Sequence, residues 1–143
     1  HLPKTEQPQY SMLHRERVEK TVLPVTRSRG VGLVPWSPLA GGMLTGKYDE
    51  GIPQDSRFNR EEWAKNRYMN EDNIRRVKAL KPIAEELGIT RGQLALAWCL
   101  RESGVSSVIT GATRAEQVIE NVKASEIKLT DDVIAQIEGI LTS

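Results

Sequence analysis

The chain has 143 residues, of which 38% are hydrophobic and 27% charged, as is typical of a soluble globular domain. Its 20 basic and 19 acidic residues leave a net charge of +1, which argues against strong electrostatic binding to nucleic acid or to an anionic membrane. A single cysteine excludes an intrachain disulfide, and no apolar run reaches the roughly 20 residues of a membrane span. We therefore expect a cytoplasmic protein.

The N-terminal part alternates between extended and helical patterns. Residues 5–12 are predicted to be extended, because prolines disfavour a helix there. Residues 15–28 carry apolar side chains at helical spacing, with a kink predicted at Pro24 and the helix end at Gly30. The short apolar run at 31–36 predicts a buried strand.

The middle of the chain is predicted to be mostly loop, followed by one helix. Small residues dominate 37–48, and the polar segment 49–59 is predicted to be a long, mobile loop. Residues 70–87 predict a helix that begins at an asparagine cap, is kinked by Pro82 and ends at Gly88.

Two capping boxes are predicted in the C-terminal part of the chain. Thr90 and Gln93 predict the start of a helix that is apolar on nearly every face and therefore buried. An apolar strand is predicted at 105–110. It leads into a helix over 113–121, whose capping box is completed by Glu116.

A last helix is predicted to begin at Thr130, so the order becomes strand, helix, strand, loop, helix, helix, strand, helix, helix. Strands that alternate with helices are typical of a parallel α/β sheet. In such folds a ligand lies at the carboxyl ends of the strands, and candidate residues are therefore those that follow each strand directly.

Three segments meet that criterion: the pair Glu6 and Gln7, the pair Trp36 and Ser37, and residues 111–113. A tryptophan at a strand end can stack on a flat ring, and the free amides of a helix start can hold an anion. The same patterns are typical of a core tryptophan and of an ordinary capped surface helix. Spacing alone leaves both interpretations open.

Polar residues near these segments are weaker candidates. Lys47 and Arg57 lie where they could reach phosphates, and Gln117, Glu120 and Asn121 share one face of a helix. Each of these residues would also be ordinary on a solvated surface.

The remaining chemistry-bearing residues give no site. Cys99 is predicted to pack inside a buried helix, and His14 to be exposed in a charged patch. The two histidines have no metal-ligand spacing, and no Walker loop, Gly-x-Gly-x-x-Gly or Gly-x-Ser-x-Gly motif is present. We therefore predict neither a metal site nor a catalytic residue in this chain.

Four stretches, taken in order, resemble the aldo-keto reductase family, and among its branches the voltage-gated potassium channel β subunits and their bacterial relatives. They are EQPQY at 6–10, WSPLAGG at 36–42 with GKY at 46–48, QLALAWCLR at 93–101, and GATRAEQ at 111–117 with Glu120 and Asn121. The resemblance implies a TIM (β/α)₈ barrel, of which residues 1–143 would be a partial domain with strands six to eight and the C-terminal helices.

The resemblance also implies a nicotinamide dinucleotide, NADP(H) or NAD(H), as cofactor. The implied contacts are Gln7 with the carboxamide, Trp36 with the nicotinamide ring, Ser37, Leu39 and Gly42 with the pyrophosphate, Lys47 and Arg57 with phosphates, Gly111 and Thr113 with the adenosine phosphate, Gln117 with the ribose, and Glu120 and Asn121 with adenine. The steroid-reducing branch has arginine in place of Gln117 and lysine in place of Gly111, which leaves the choice between NADP and NAD open.

The family's catalytic Asp, Tyr, Lys and His belong to earlier strands that have no counterpart here, and Tyr10, Tyr48 and Tyr68 do not match the catalytic tyrosine's context. Two hypotheses follow. The chain is the cofactor-binding C-terminal part of a reductase of small aldehydes and ketones, or it is a non-catalytic nucleotide-binding or protein-interaction module. Nucleic-acid and membrane partners are not expected, and a homo-oligomer remains open.

Overall fold

Three parallel segments form the sheet of the computed structural model, which describes residues 3–143 and so leaves His1 and Leu2 aside. Strand β1 (Thr5–Glu6) pairs with β2 (Gly32–Leu33), so that Thr5 lies opposite Gly32 and Glu6 opposite Leu33. On its other side, β2 forms a parallel bridge from Leu33 to Val105. The predicted extended segments are thus confirmed as neighbours in one parallel sheet.

Regular pairing is shorter than the predicted strand over 31–36, yet the three segments stay together to their carboxyl ends. Trp36 forms parallel bridges with Gln9 on one side and Ile109 on the other. The amide of Trp36 donates to the carbonyl of Pro8, and the amide of Ile109 donates to that of Pro35. Prolines lack an amide hydrogen, so these positions accept but cannot donate, which interrupts the ladder.

The predicted first helix is confirmed, with an unexpected start. Residues Val18–Val22 form a π-helical turn that continues into α1 (Leu23–Arg29). This widened turn accommodates Pro24 directly after it, because proline cannot donate an intrahelical hydrogen bond. Gly30 ends the helix in the left-handed region with φ of 63°.

The prediction of a mobile loop over 49–59 is wrong at its C-terminal end. Helices α2 (Arg57–Arg60) and α3 (Glu62–Tyr68) occupy the region that follows the turn. Phe58 is only 2% exposed and stacks on Tyr48 with 3.9 Å between ring centroids. Aromatic packing therefore fixes a segment whose composition favours a loop.

The predicted helix over 70–87 is two helices, α4 (Glu71–Ala79) and α5 (Lys81–Glu86), which meet just before Pro82. The Asn70 cap is confirmed, since its side chain accepts from the amide of Asn73 at 2.9 Å. Helix α6 (Arg91–Leu100) begins with the predicted capping box and is buried along most of its length.

Helix α7 (Ala115–Lys123) begins later than predicted, and the Thr113–Glu116 capping box is wrong. Instead, the Gln117 side chain accepts hydrogen bonds from the amides of Thr113 at 2.8 Å and Arg114 at 3.3 Å. The longer glutamine reaches back over the helix start, and residues 111–113 stay outside the helix.

A short 3₁₀ turn (Ala124–Glu126) then leads to α8 (Asp131–Thr142), which is capped by Thr130 as predicted. Trp98 of α6 is fully buried and packs against Tyr10 with 5.3 Å between ring centroids. No helix within residues 3–143 is both long and apolar enough to cross a membrane. The architecture is an α-rich α/β fold with a small parallel sheet.

Candidate functional site

The carboxyl ends of the three parallel segments lie side by side at one edge of the sheet. Because Trp36 bridges both Gln9 and Ile109, the chain leaves the sheet through Trp36 between its two neighbours. Residues 111–113 follow the third segment directly. Parallel pairing thus brings the three sequence-predicted segments to a common edge, which is where α/β folds bind ligands.

Gln7 and Trp36 line one groove of about 410 Å³. The indole of Trp36 is 37% exposed, so it is not the core tryptophan that one interpretation of the sequence allowed. Another groove, of about 440 Å³, lies beside β1 and α1 and contains none of the residues predicted to contact a cofactor. The 410 Å³ groove is therefore the one that bears on the site.

Three basic residues also line this groove, His14, Arg17 and Arg67, and none of them was predicted to belong to the site. Arg67 donates to the side-chain oxygen of Gln9, whose own amide donates to the Tyr68 hydroxyl at 2.8 Å. Partial burial lowers the pKa of His14, and the positive charges of Arg67 and Arg17 lower it further. No sequence signal links Arg67 to His14 and Arg17, because Arg67 comes from a distant helix.

The turn after Trp36 has an unusual backbone. Ser37 and Ala40 have positive φ values of 55° and 50°, which residues other than glycine rarely adopt. The turn continues into a 3₁₀ segment (Ala40–Thr45), interrupted by Gly41 and Gly42 with φ of 67° and 94°. Strain of this kind costs of order 1–3 kcal/mol per residue and is concentrated at functional sites.

Within this turn Lys47 folds back over Gly42. A Cβ atom on Gly42 would lie 2.9 Å from the Lys47 Cε, a contact that the flexible lysine could relieve, so it is the φ of 94° that favours glycine here. Arg57 is placed differently, since it forms an ion pair with Glu61 at 3.0 Å and lies over the Trp63 ring. The structure therefore brings Lys47 to the turn but holds Arg57 within its own helical region.

The predicted polar face of α7 is partly occupied by structural contacts. The Glu120 carboxylate accepts from the Thr90 hydroxyl at 2.7 Å, and its carbonyl accepts from the Gln93 side chain at 3.0 Å. Asn121 is half-buried beside them. These contacts join the start of α6 to α7, and a sequence pattern could not have shown them.

None of the three tyrosines presents a free hydroxyl. Tyr10, Tyr48 and Tyr68 are 0–3% exposed, and each hydroxyl is hydrogen-bonded within the protein. Burial raises the pKa of Tyr10 above its usual range. Cys99 is likewise buried as predicted, and burial raises the pKa of its thiol to about 12. These groups are packed, and they are not exposed as reactive side chains.

Comparison with known proteins finds a matching family and similar plant proteins. The profile of the Aldo/keto reductase family matches residues 3–142. The chain is 51% identical over 146 aligned positions to a probable voltage-gated potassium channel subunit beta of Arabidopsis thaliana, and 49% identical to one of Oryza sativa subsp. japonica. Both alignments cover 99% of this chain but only 44% of the relative. The chain thus spans less than half the length of these relatives.

Proposed function

Because the chain belongs to the aldo/keto reductase family, we propose that it holds the nicotinamide dinucleotide of an enzyme that reduces aldehydes or ketones to alcohols. In this proposal residues 1–143 are part of a longer polypeptide, called the full-length polypeptide below, and correspond to strands six to eight and the C-terminal helices of a TIM barrel. The observation that carries the proposal is the common sheet edge at which Gln7, Trp36 and residues 111–113 emerge.

The proposed contacts follow the order of the site along the sheet edge. The Gln7 and Trp36 side chains face the nicotinamide, which is consistent with the groove they share and the exposed indole. The glycine-rich turn lets the pyrophosphate approach the backbone closely. The remaining proposed contacts are Ser37, Leu39, Gly42, Lys47 and Arg57 for the phosphates, Gly111 and Thr113 for the adenosine phosphate, and Gln117, Glu120 and Asn121 for the ribose and adenine.

Two of these contacts require a rearrangement. Arg57 would have to leave Glu61 to reach a phosphate, and the Glu120 carboxylate already accepts from Thr90. Arg114 carries charge at the start of α7, and we propose it as the candidate for a 2′-phosphate. NADP(H) is on this basis the favoured cofactor, with NAD(H) as the alternative.

In the proposed reaction a bound nicotinamide supplies the hydride, while the protein supplies its orientation. Trp36 would hold one face of the ring, and Gln7 would fix its rotation through the carboxamide. In this proposal the proton comes from the family's catalytic tyrosine, in a part of the barrel outside residues 3–143, since the three tyrosines here are buried and hydrogen-bonded. The chain therefore contributes binding and orientation, and not the acid.

A second candidate function is a non-catalytic, nucleotide-binding or protein-interaction module. The observation that favours it is the description of both relatives as probable potassium channel β subunits. The two functions are distinguished by turnover, since neither a nucleotide-binding module nor a protein-interaction module would oxidise NADPH.

The test compares the full-length polypeptide with residues 1–143 alone, using NADPH and 4-nitrobenzaldehyde. We expect NADPH oxidation by the full-length protein and none by residues 1–143, in which no tyrosine matches the context of the family's catalytic tyrosine. A full-length protein that binds NADPH but leaves a panel of aldehydes unreduced would favour the second function. A full-length protein that binds no nicotinamide dinucleotide would contradict the first function and would leave only the protein-interaction form of the second.

A further inference from the structure

We infer that Arg91, at the start of α6, is a positioning residue that holds the phosphate-contacting turn at a fixed place relative to the adenosine-contacting face of α7. The inference rests on the proposed function. Arg91 itself is not expected to touch the cofactor, because its side chain is only 14% exposed and is held by Asp49 and the Val77 carbonyl.

Arg91 joins the turn to two helices. Its Nη1 donates to Asp49 Oδ2 at 2.7 Å and to the carbonyl of Val77 in α4 at 3.0 Å. Asp49 directly follows the segment with Gly42 and Lys47, so this ion pair fixes the end of the turn. One side chain therefore ties the turn to α4 and α6.

Gly46 makes this contact possible. A Cβ atom there would overlap the Arg91 guanidinium, which packs directly against the glycine's backbone. The φ of 80° at Gly46 also favours glycine. The Gly46 backbone and the Arg91 side chain therefore pack against each other directly before Lys47.

The same end of α6 also holds α7. Thr90, the residue before Arg91, donates to the Glu120 carboxylate, and Gln93 donates to the Glu120 carbonyl. The first turn of α6 therefore contacts both halves of the proposed site, the phosphate turn through Arg91 and the adenosine face through Thr90 and Gln93. A change at Arg91 should displace only the first half.

The physical cause of that displacement is Asp49. Its side chain is 15% exposed, and its Oδ1 atom has no hydrogen-bond partner among residues 3–143. Without Arg91 the carboxylate would be left unpaired in a poorly solvated place, which is strongly unfavourable. The turn should then move to hydrate Asp49, and the phosphate contacts should move with it.

The experiment uses the full-length polypeptide and titrates two probes, NADP⁺ and adenosine 2′-phosphate, by tryptophan fluorescence or calorimetry. We expect Arg91→Met to raise the Kd for NADP⁺ about ten-fold, and the Kd for adenosine 2′-phosphate less than about two-fold. Hydrogen exchange at the amides of 37–49 should accelerate without cofactor, whereas that of α7 should not.

Two variants separate positioning from general destabilisation. Arg91→Met combined with Asp49→Asn should regain part of the NADP⁺ affinity, because the unpaired carboxylate is gone. Lys78→Met is the matched control, since it removes an exposed pair with Glu50 beside the same turn and should leave both affinities unchanged.

Each alternative outcome overturns the inference. Equal losses for both probes would make Arg91 a general structural residue, and an unchanged NADP⁺ affinity would remove its role altogether. If the wild-type protein binds NADP⁺ and Arg91→Met binds it equally well, only this inference is contradicted. A wild-type protein that binds neither probe contradicts the proposed function as well.

Discussion

Trp36 is 37% exposed at the end of the central sheet segment, although tryptophan is usually largely buried. Its backbone is held on both sides by Gln9 and Ile109, so the ring is presented from a rigid position. A ligand that stacks on it would meet a preorganised surface. This exposure is the clearest single-residue feature that separates a binding role from core packing.

We predict that Trp36→Ala in the full-length protein raises the Kd for NADP⁺ about ten-fold, which corresponds to about 1.4 kcal/mol of lost stacking and burial. Trp36→Phe serves as the control, because it keeps an aromatic ring and should retain most of the affinity. An Ala variant with wild-type affinity and wild-type turnover would exclude the stacking role. The measurement is a fluorescence or calorimetric titration with each variant.

Single residues also show which parts of the site the sequence could predict. It identified Gln7 and Trp36 from their places after predicted strands, and the structure places both in one groove. It could not identify Arg67 as part of that groove, because a helix from a distant part of the chain brings it there. Proximity between distant segments is a tertiary property that local spacing does not encode.

At the scale of elements, two glycines flank the segment that contains β2 and the turn after it. Gly30 and Gly46 both lie in the left-handed region, with φ of 63° and 80°. A Cβ atom on Gly30 would meet nothing within 4 Å, whereas one on Gly46 would overlap Arg91. The two glycines thus separate the cost of backbone conformation from the cost of a steric clash.

We predict that Gly30→Ala lowers the free energy of unfolding by about 1 kcal/mol, from backbone strain alone. Gly46→Ala should lower it by about 2–4 kcal/mol, because overpacking against Arg91 is added to the strain. Urea unfolding of the two full-length variants measures the difference. Equal losses would show that the contact between Arg91 and Gly46 is not tightly packed.

Elements with a strong local signal were predictable, and those that depend on distant contacts were not. The Thr90–Gln93 capping box and the helix after it are confirmed, because the cap and the apolar run are local in sequence. Helix α3 was missed, since its mostly polar sequence has no clear apolar period and Ala64 and Tyr68 are buried by contacts from elsewhere. The helix start near Thr113 was misplaced because the Gln117 side chain accepts from the amides of Thr113 and Arg114, and this contact replaces the predicted Thr113–Glu116 capping box.

At the scale of the whole molecule, helix α7 presents an apolar surface. Val118, Ile119 and Val122 are 51–64% exposed, and Ile109 of the adjoining sheet segment is 42% exposed. Within residues 3–143 the sheet also has no strand beyond either of its outer segments. Exposed apolar faces and open strand edges favour association with further protein.

We predict that residues 1–143 alone self-associate, aggregate or form a partly molten state. Size-exclusion chromatography with light scattering and near-ultraviolet circular dichroism measure this directly. Val118→Ser combined with Val122→Ser should reduce the association, because both side chains lie on the exposed face of α7. A wild-type chain that is monomeric and unfolds cooperatively would contradict this prediction.

The central claim is that the Trp36 segment and the start of α7 contact opposite ends of one dinucleotide. A crystal structure of the full-length polypeptide with NADP⁺ tests it most directly. We predict that the nicotinamide lies on Trp36, the pyrophosphate along the turn with Gly42 and Lys47, and the adenine beside Asn121. A cofactor bound at another edge of the protein, or one that touches only one of the two segments, would contradict the account.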